Sequence, residues 1–168
     1  MYIILHLAIS QDGFIAKTDG DSNWVSSSDE ELFKLRAKDA GCVIIGRKTF
    51  DQYQKIIYPI GGVLNIVLTT KPNEINTAEN VTTATSPEEA ISIAEKRGLS
   101  KILIAGGAQV SQTFLDKGMV NEIFLSVHQL KLGTGIKPFE DISQDKRYKL
   151  VQEKQLEDGV RELHYMMI

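Results

Sequence analysis

The chain has 168 residues and 18.7 kDa, with 42% hydrophobic and 24% charged residues, which suits one globular domain with a single sizeable core and leaves too little length for two. A formal net charge of -3 and a pI near 5.6 provide no basic field for a nucleic-acid backbone, and no long Lys/Arg run occurs, so generic nucleic-acid binding is disfavoured. A single cysteine, Cys42, excludes an internal disulfide or a zinc knuckle, and with no signal-like leader or membrane-length apolar stretch the expectation is a soluble, cytoplasmic protein with no membrane partner.

Tyr2 to Ile9 is a continuous β-prone apolar run, the pattern of a strand covered on both faces of a mostly parallel sheet. The polar stretch from Ser10 to Ser28 is long for a loop inside a compact domain, which makes it a candidate functional loop. Ser28-Asp-Glu-Glu31 matches a capping box and predicts a helix to about Ala40, stopped by Gly41. Cys42 to Ile45 and Val63 to Leu68 read as short buried strands. Ser86-Pro-Glu-Glu89 supplies an N-cap, an N1 proline and a capping-box glutamate for a helix ending near Gly98. Lys101 to Ala105 reads as a strand and Ala108 to Lys117 as a helix closed by Gly118. Strands alternating with helices of about ten residues predict an α/β domain with a parallel central sheet between helices on both faces. After the run from Val120 to Val127, Arg147 to Glu157 and Val160 to Met167 alternate around Asp158-Gly159, predicting an antiparallel C-terminal hairpin. No repeat or linker divides residues 1–168, which read as one domain.

Ligands of open α/β sheets sit beyond the carboxyl ends of the strands, which directs attention to the loops after Ile9, Ile45, Leu68 and Ala105. Gly46-Arg47-Lys48-Thr49 brings two cations and a hydroxyl to a helix start, as an anionic phosphate requires; the alternative is a solvated helix start. Neither a P-loop frame nor GxGxxG is present. Gly106-Gly107 lets a ligand approach the backbone at a second helix start, unless it serves only a tight turn. Thr69-Thr70-Lys71 offers hydroxyls and a charge at a third strand end, or simply β-propensity.

Asp29 has Leu32, Phe33 and Arg36 at i+3, i+4 and i+7, so its carboxylate shares an apolar helix face. Desolvation there predicts a raised pKa and a group able to orient a polar heterocycle and pass on a proton. The competing reading is a first-turn acid favoured by the helix dipole. Trp24, the only tryptophan, is either a pocket wall or a loop anchor. His6, His128 and His164 lack metal-ligand spacing and read as isolated strand histidines, and Cys42 reads as an inert buried thiol.

In chain order, Ser10-Gln-Asp-Gly-Phe-Ile-Ala16, Trp24 with Asp29 and Phe33-Lys34, Ile45-Gly-Arg-Lys-Thr-Phe50, Asn65-Ile-Val-Leu-Thr-Thr70, Ile104-Ala-Gly-Gly-Ala-Gln-Val110, and Leu132-Gly-Thr-Gly135 with Phe139 together resemble the dihydrofolate reductase superfamily over essentially the whole chain. The resemblance implies that fold and an NADPH cofactor. It implies that Arg47, Lys48 and Thr49 contact the phosphates, that Thr69 and Thr70 lie on the adenosine side, and that Gly106, Gly107, Ala108 and Gln109 form the paired-glycine turn, with a cis Gly106–Gly107 peptide. Asp29 matches the carboxylate that holds the pterin, and Trp24 and Phe33 match pocket walls. Hydride transfer belongs to the nicotinamide, so the protein would bind, orient and shield the two rings.

Val63 stands where dihydrofolate reductases carry an arginine for the glutamate tail of folate. Leu132-Gly-Thr-Gly135 and Ser10-Gln-Asp-Gly13 look more like the reductase domain of riboflavin biosynthesis, the C-terminal domain of a bifunctional deaminase-reductase. That closer resemblance implies a homodimer, no metal, and reduction of a phosphorylated ribosylaminopyrimidine. No deaminase zinc motif occurs, so the expectation is a stand-alone reductase domain or a relative with another small substrate. Authentic dihydrofolate reductase and a nucleotide-binding module without turnover are the alternatives.

Overall fold

The computed structural model describes residues 1–75 and 80–168. Its strands form one sheet in the order β4-β3-β2-β5-β1-β6-β8-β7. They are β1 (Tyr2–Ser10), β2 (Cys42–Gly46), β3 (Leu64–Leu68), β4 (Val81–Ala84), β5 (Lys101–Ile104), β6 (Glu122–His128), β7 (Tyr148–Gln155) and β8 (Arg161–Met167). β1 to β6 pair in parallel, and the β7–β8 hairpin joins β6 through an antiparallel β8. The helices are α1 (Ser27–Ala40), α2 (Arg47–Tyr53), α3 (Pro87–Lys96) and α4 (Ala108–Asp116). This is the expected architecture, with one strand that the sequence does not announce. Val81-Thr-Thr-Ala84 is short and half polar, and it becomes a strand through its register with β3, from Asn65 opposite Val81 to Leu68 opposite Ala84.

Strand alternation divides the core in two. Ile3, Leu5, Leu7, Ile44, Ile66 and Ile104 pack with Ala90, Ala94, Val110 and Phe114 of α3 and α4. Ile4, Val43, Ile45, Val67 and Leu103 pack with Ala37, Ala40 and Phe50 of α1 and α2. Covering both faces explains why the parallel strands are continuously apolar, each fully buried aliphatic side chain contributing about 1.5–3 kcal/mol. Cys42 lies in this core, and burial pushes its thiol up to about 12, so it is inert as expected.

The cap of α1 is Ser26 rather than Ser28: the Ser26 hydroxyl accepts the Asp29 N–H at 3.2 Å, and Gly41 closes the helix in a left-handed conformation. Asp29 is thereby an N3 residue with its side chain turned inward. The long loop after β1 is pinned. The Asp12 carboxylate accepts the Ser10 hydroxyl at 2.7 Å and the N–H groups of Leu132 and Gly133 at 3.1 and 2.8 Å, which hold its carboxyl at about 2. Farther along the loop, Ala16 bridges to Ile136, and a Cβ on Gly135 would collide with the Ala16 carbonyl oxygen. Among the described residues, no helix is long and apolar enough to cross a membrane.

Asn65 is fully buried and closes the turn before β3. Its side chain accepts the Ile60 N–H at 2.9 Å and donates to the carbonyls of Ile60 and Val63 at 3.1 and 2.8 Å. Asn65→Leu keeps the volume and strands these groups, so we expect a loss of about 3 kcal/mol and a fall in thermal midpoint of roughly 6–12 °C. A calorimetric midpoint within about 2 °C of the parent would contradict this account of the turn.

Candidate active site

The chain leaves β2 through α2 toward β3 and leaves the adjacent β5 through α4 toward β6, on opposite sides, which is the switch point where open α/β sheets form a crevice at the carboxyl ends of their strands. The two turns meet there. The Gly46 N–H donates to the Gly106 carbonyl at 3.0 Å. A Cβ on Gly46 would stand 3.0 Å from Val110 Cγ2, and one on Gly107 would stand 3.0 Å from Thr49 Oγ1. Gly106 has φ of 88°, and the Gly106–Gly107 peptide is cis, as the resemblance implies. Both glycines therefore have a packing reason for their identity as well as a ligand-based one. The helices α2 and α4 begin at this crevice with glycine N-caps that provide no side-chain oxygen, so first-turn N–H groups are left for solvent or an anionic ligand.

Around the crevice, Thr49 and Ala108 are half-buried, while Lys48, Thr70 and Gln109 are exposed. Thr69 is buried and its hydroxyl accepts the Lys71 N–H at 3.0 Å. Arg47 is not an open cation. Its guanidinium donates to Glu74 at 2.6 Å and Asp51 at 3.1 Å, and these carboxylates raise its pKa while it lowers that of Glu74. This bridge ties the loop after β2 to the turn after β3. Glu74 is distant in sequence, so no local motif reveals the contact.

The residues expected at the substrate side cluster around β1. Asp29 and His6 are both buried, with His6 Nε2 at 3.0 Å from Asp29 Oδ1. Burial pushes the Asp29 carboxyl up, but hydrogen bonds from His6 and from the Ser126 hydroxyl outweigh it and hold the carboxyl below its ordinary value. The expected raised pKa is thus corrected, because the apolar helix face meets a polar strand. His6 Nδ1 lies 3.1 Å from Arg36 Nη1, and Arg36 is clamped by two hydrogen bonds to Glu162, at 2.7 and 3.0 Å. His6 is therefore no isolated strand histidine. The signal that could have found it is the strand period: His6 shares one sheet face with Phe124 and Ser126 of β6 and Glu162 and His164 of β8, by register.

Phe33 meets the His6 ring edge-on at 5.6 Å, and Trp24 meets His128 edge-on at 5.2 Å. The buried Trp24 Nε1 finds no hydrogen-bond partner among the described residues. His128 behaves as a satisfied residue: its Nδ1 lies 3.0 Å from the Ser126 carbonyl, and its Nε2 accepts the Ser26 N–H at 3.1 Å. Among the described residues, no cluster of His, Cys, Asp and Glu suits a metal ion.

Fold and site define a doubly wound α/β protein with a topological switch point at the carboxyl end of its sheet and a buried carboxylate on its first crossover helix. The chain belongs to the dihydrofolate reductase family, whose model, described as Dihydrofolate reductase, matches residues 2–168. The uncharacterized Bacillus subtilis protein YwjB is 28% identical over 170 residues, covering 97% of this chain and 96% of its own. A Glycine max bifunctional dihydrofolate reductase-thymidylate synthase is 32% identical over 121 residues, 66% of this chain and 23% of that protein. The deaminase/5-amino-6-(5-phosphoribosylamino)uracil reductase of Thermotoga maritima superposes with a TM-score of 0.79 at 20% identity, over 99% of this chain and 56% of that one, a likeness of fold.

Because the folded-state pKa of Asp29 lies below the unfolded value of about 3.9, its ionised form stabilises the fold fully above that value and the contribution is lost as pH falls through the folded value. Asp29→Asn should unfold at lower urea than the parent at neutral pH, with the gap closing below about pH 4. A gap that stays constant through acid would show that the carboxylate charge contributes nothing.

Proposed function

We propose that the protein is an NADPH-dependent reductase of the riboflavin-biosynthesis type, passing a hydride to a small heterocyclic substrate. The observation that carries this reading is the crevice between β2 and β5, where two uncapped helix starts and the Gly46–Gly106 contact form a cradle beside Arg47 and Lys48. Backbone N–H groups and the absence of Cβ atoms suit a dinucleotide diphosphate, and the two cations suit the additional phosphate that NADPH carries and NADH lacks, so the residues present fit the cofactor. The nicotinamide, when bound, supplies the hydride.

Arg47, Lys48 and Thr49 would hold phosphate at the start of α2, with Gly106, Gly107, Ala108 and Gln109 at the start of α4 and Thr69 and Thr70 toward the adenosine. Arg47 would do so by exchanging its exposed carboxylate partners for phosphate. Asp29, held as an anion, orients the substrate ring instead of protonating it, and Phe33 and Trp24 wall the pocket. The homodimer and the cytoplasmic location belong to this same proposal.

Authentic dihydrofolate reductase is the second reading, favoured by the family description and the plant relative. Against it, Val63 is an apolar core residue, 2% exposed, at the position expected for the tail arginine, and it offers nothing to a carboxylate. Loss of NADPH absorbance should accompany turnover of 5-amino-6-(5-phosphoribosylamino)uracil, with dihydrofolate at least about tenfold poorer in kcat/KM. Efficient dihydrofolate reduction would install the second reading, and NADPH binding without turnover of either would mark a nucleotide-binding module.

The cations define a further expectation. NADPH should bind more tightly than NADH, Arg47→Ala should remove most of that preference, and Glu74→Gln, which frees the guanidinium, should strengthen NADPH binding. Equal affinities of the parent protein for the two cofactors in a fluorescence titration would remove phosphate selection from this turn.

A further inference from the structure

We propose that His6 is a positioning residue for Asp29: clamped by Arg36 in one tautomer, it donates to Oδ1 and fixes the orientation of the carboxylate that would meet the substrate ring. This rests on the reductase reading and adds to it the residue that orients the carboxylate.

The tautomer follows from donor chemistry. A guanidinium nitrogen only donates, so the 3.1 Å contact from Arg36 Nη1 makes His6 Nδ1 the acceptor and places the ring proton on Nε2, which faces Asp29 Oδ1 at 3.0 Å. Arg36 has little freedom to turn away. It is bound through two nitrogens to Glu162 and lies 3.6 Å over the Phe124 ring. The ring of His6 is fixed further by Phe33, and the Ser126 hydroxyl lies 3.5 Å from Nε2.

Among the described residues, the charged or titratable groups around His6 are Asp29 and Arg36 from α1, His128 from β6 and Glu162 from β8, with His164 and Glu122 beyond Phe124. A histidine that merely fills a strand needs one hydrogen-bond partner. His6 has a charged partner on each nitrogen, two turns apart on the same helix.

The consequence concerns orientation. A carboxylate oxygen carries two lone pairs, so Oδ1 accepts from His6 while the carboxylate keeps capacity for a substrate N–H. The His6 contact fixes the plane in which that carboxylate would meet the ring.

Spectra of the protein labelled with 15N-histidine, recorded at neutral pH without cofactor or substrate, should show His6 protonated on Nε2 and unprotonated on Nδ1. The opposite tautomer would overturn the proposal without any variant. His6→Leu should raise the Asp29 carboxyl midpoint, followed by 13C resonance, by about one pH unit, and His6→Gln, which can donate to the same oxygen, should restore most of the shift. His6→Leu should also lower kcat/KM for the uracil substrate by about tenfold, with His6→Gln intermediate. An Asp29 midpoint unmoved in His6→Leu would reduce His6 to a packing residue. If neither substrate turns over, the reductase reading fails, while the tautomer and the titration still decide whether His6 positions Asp29.

Discussion

β1 runs through the middle of the sheet, hydrogen-bonded on both edges and covered on both faces, and it carries a histidine in its centre. That placement constrains much of what surrounds it. A polar ring in such a position must find partners inside the protein, and His6 finds them in Asp29 and Arg36, which dock α1 on the sheet at a fixed height and rotation. Glu162 of β8 completes the chain of contacts, so the C-terminal hairpin is coupled to the first helix through buried charge. Removing one member of such a buried set typically costs about 3–5 kcal/mol, whereas replacing the whole set by apolar groups often costs little. Its worth is therefore in orientation more than in stability: it determines where the candidate substrate wall stands.

The crevice between β2 and β5 is built on the opposite principle. Its cations are solvent-facing, and their carboxylate partners are exposed, so their ion pairs are weakened by water and salt and can be exchanged for a bound anion. What is rigid there is the backbone. The Gly46–Gly106 hydrogen bond joins the ends of neighbouring strands, and the glycines let the two turns pack at distances that a Cβ would spoil. A rigid cradle with replaceable charges suits the proposed cofactor, which would enter and leave on every cycle.

The loop after β1 connects the two regions. It begins at the end of the strand that carries His6 and leads to the cap of the helix that carries Asp29. Asp12 fastens its start to the Leu132–Gly133 backbone, and Gly135 allows the Ala16 strap to lie flat against that segment. Two motifs more than a hundred residues apart are thus halves of one contact, and the candidate substrate pocket depends on both.

Local features of the chain were enough to indicate the α/β class, the buried parallel strands, the hairpin at Asp158-Gly159 and the turns that carry Arg47 and Gly106-Gly107. Each of these follows from hydrophobic period, a cap or a glycine, which act over a few residues. β4 was not legible because Val81 to Ala84 owes its conformation to pairing with β3, not to its own propensity. The shift of the helix cap from Ser28 to Ser26 was decided by which hydroxyl could reach the Asp29 N–H. The direction of the Asp29 pKa could not be read from its helix, since burial alone raises it and the opposing donors come from β1 and β6. Arg47 read as an open cation until the turn after β3 brought Glu74 to it. In sequence, the partners of His6 lie 23 and 30 residues away on α1, and Glu162 lies farther still. Hydrogen bonding and charge act over a few ångströms in space, and only strand register and helix docking convert separations of that length into contact.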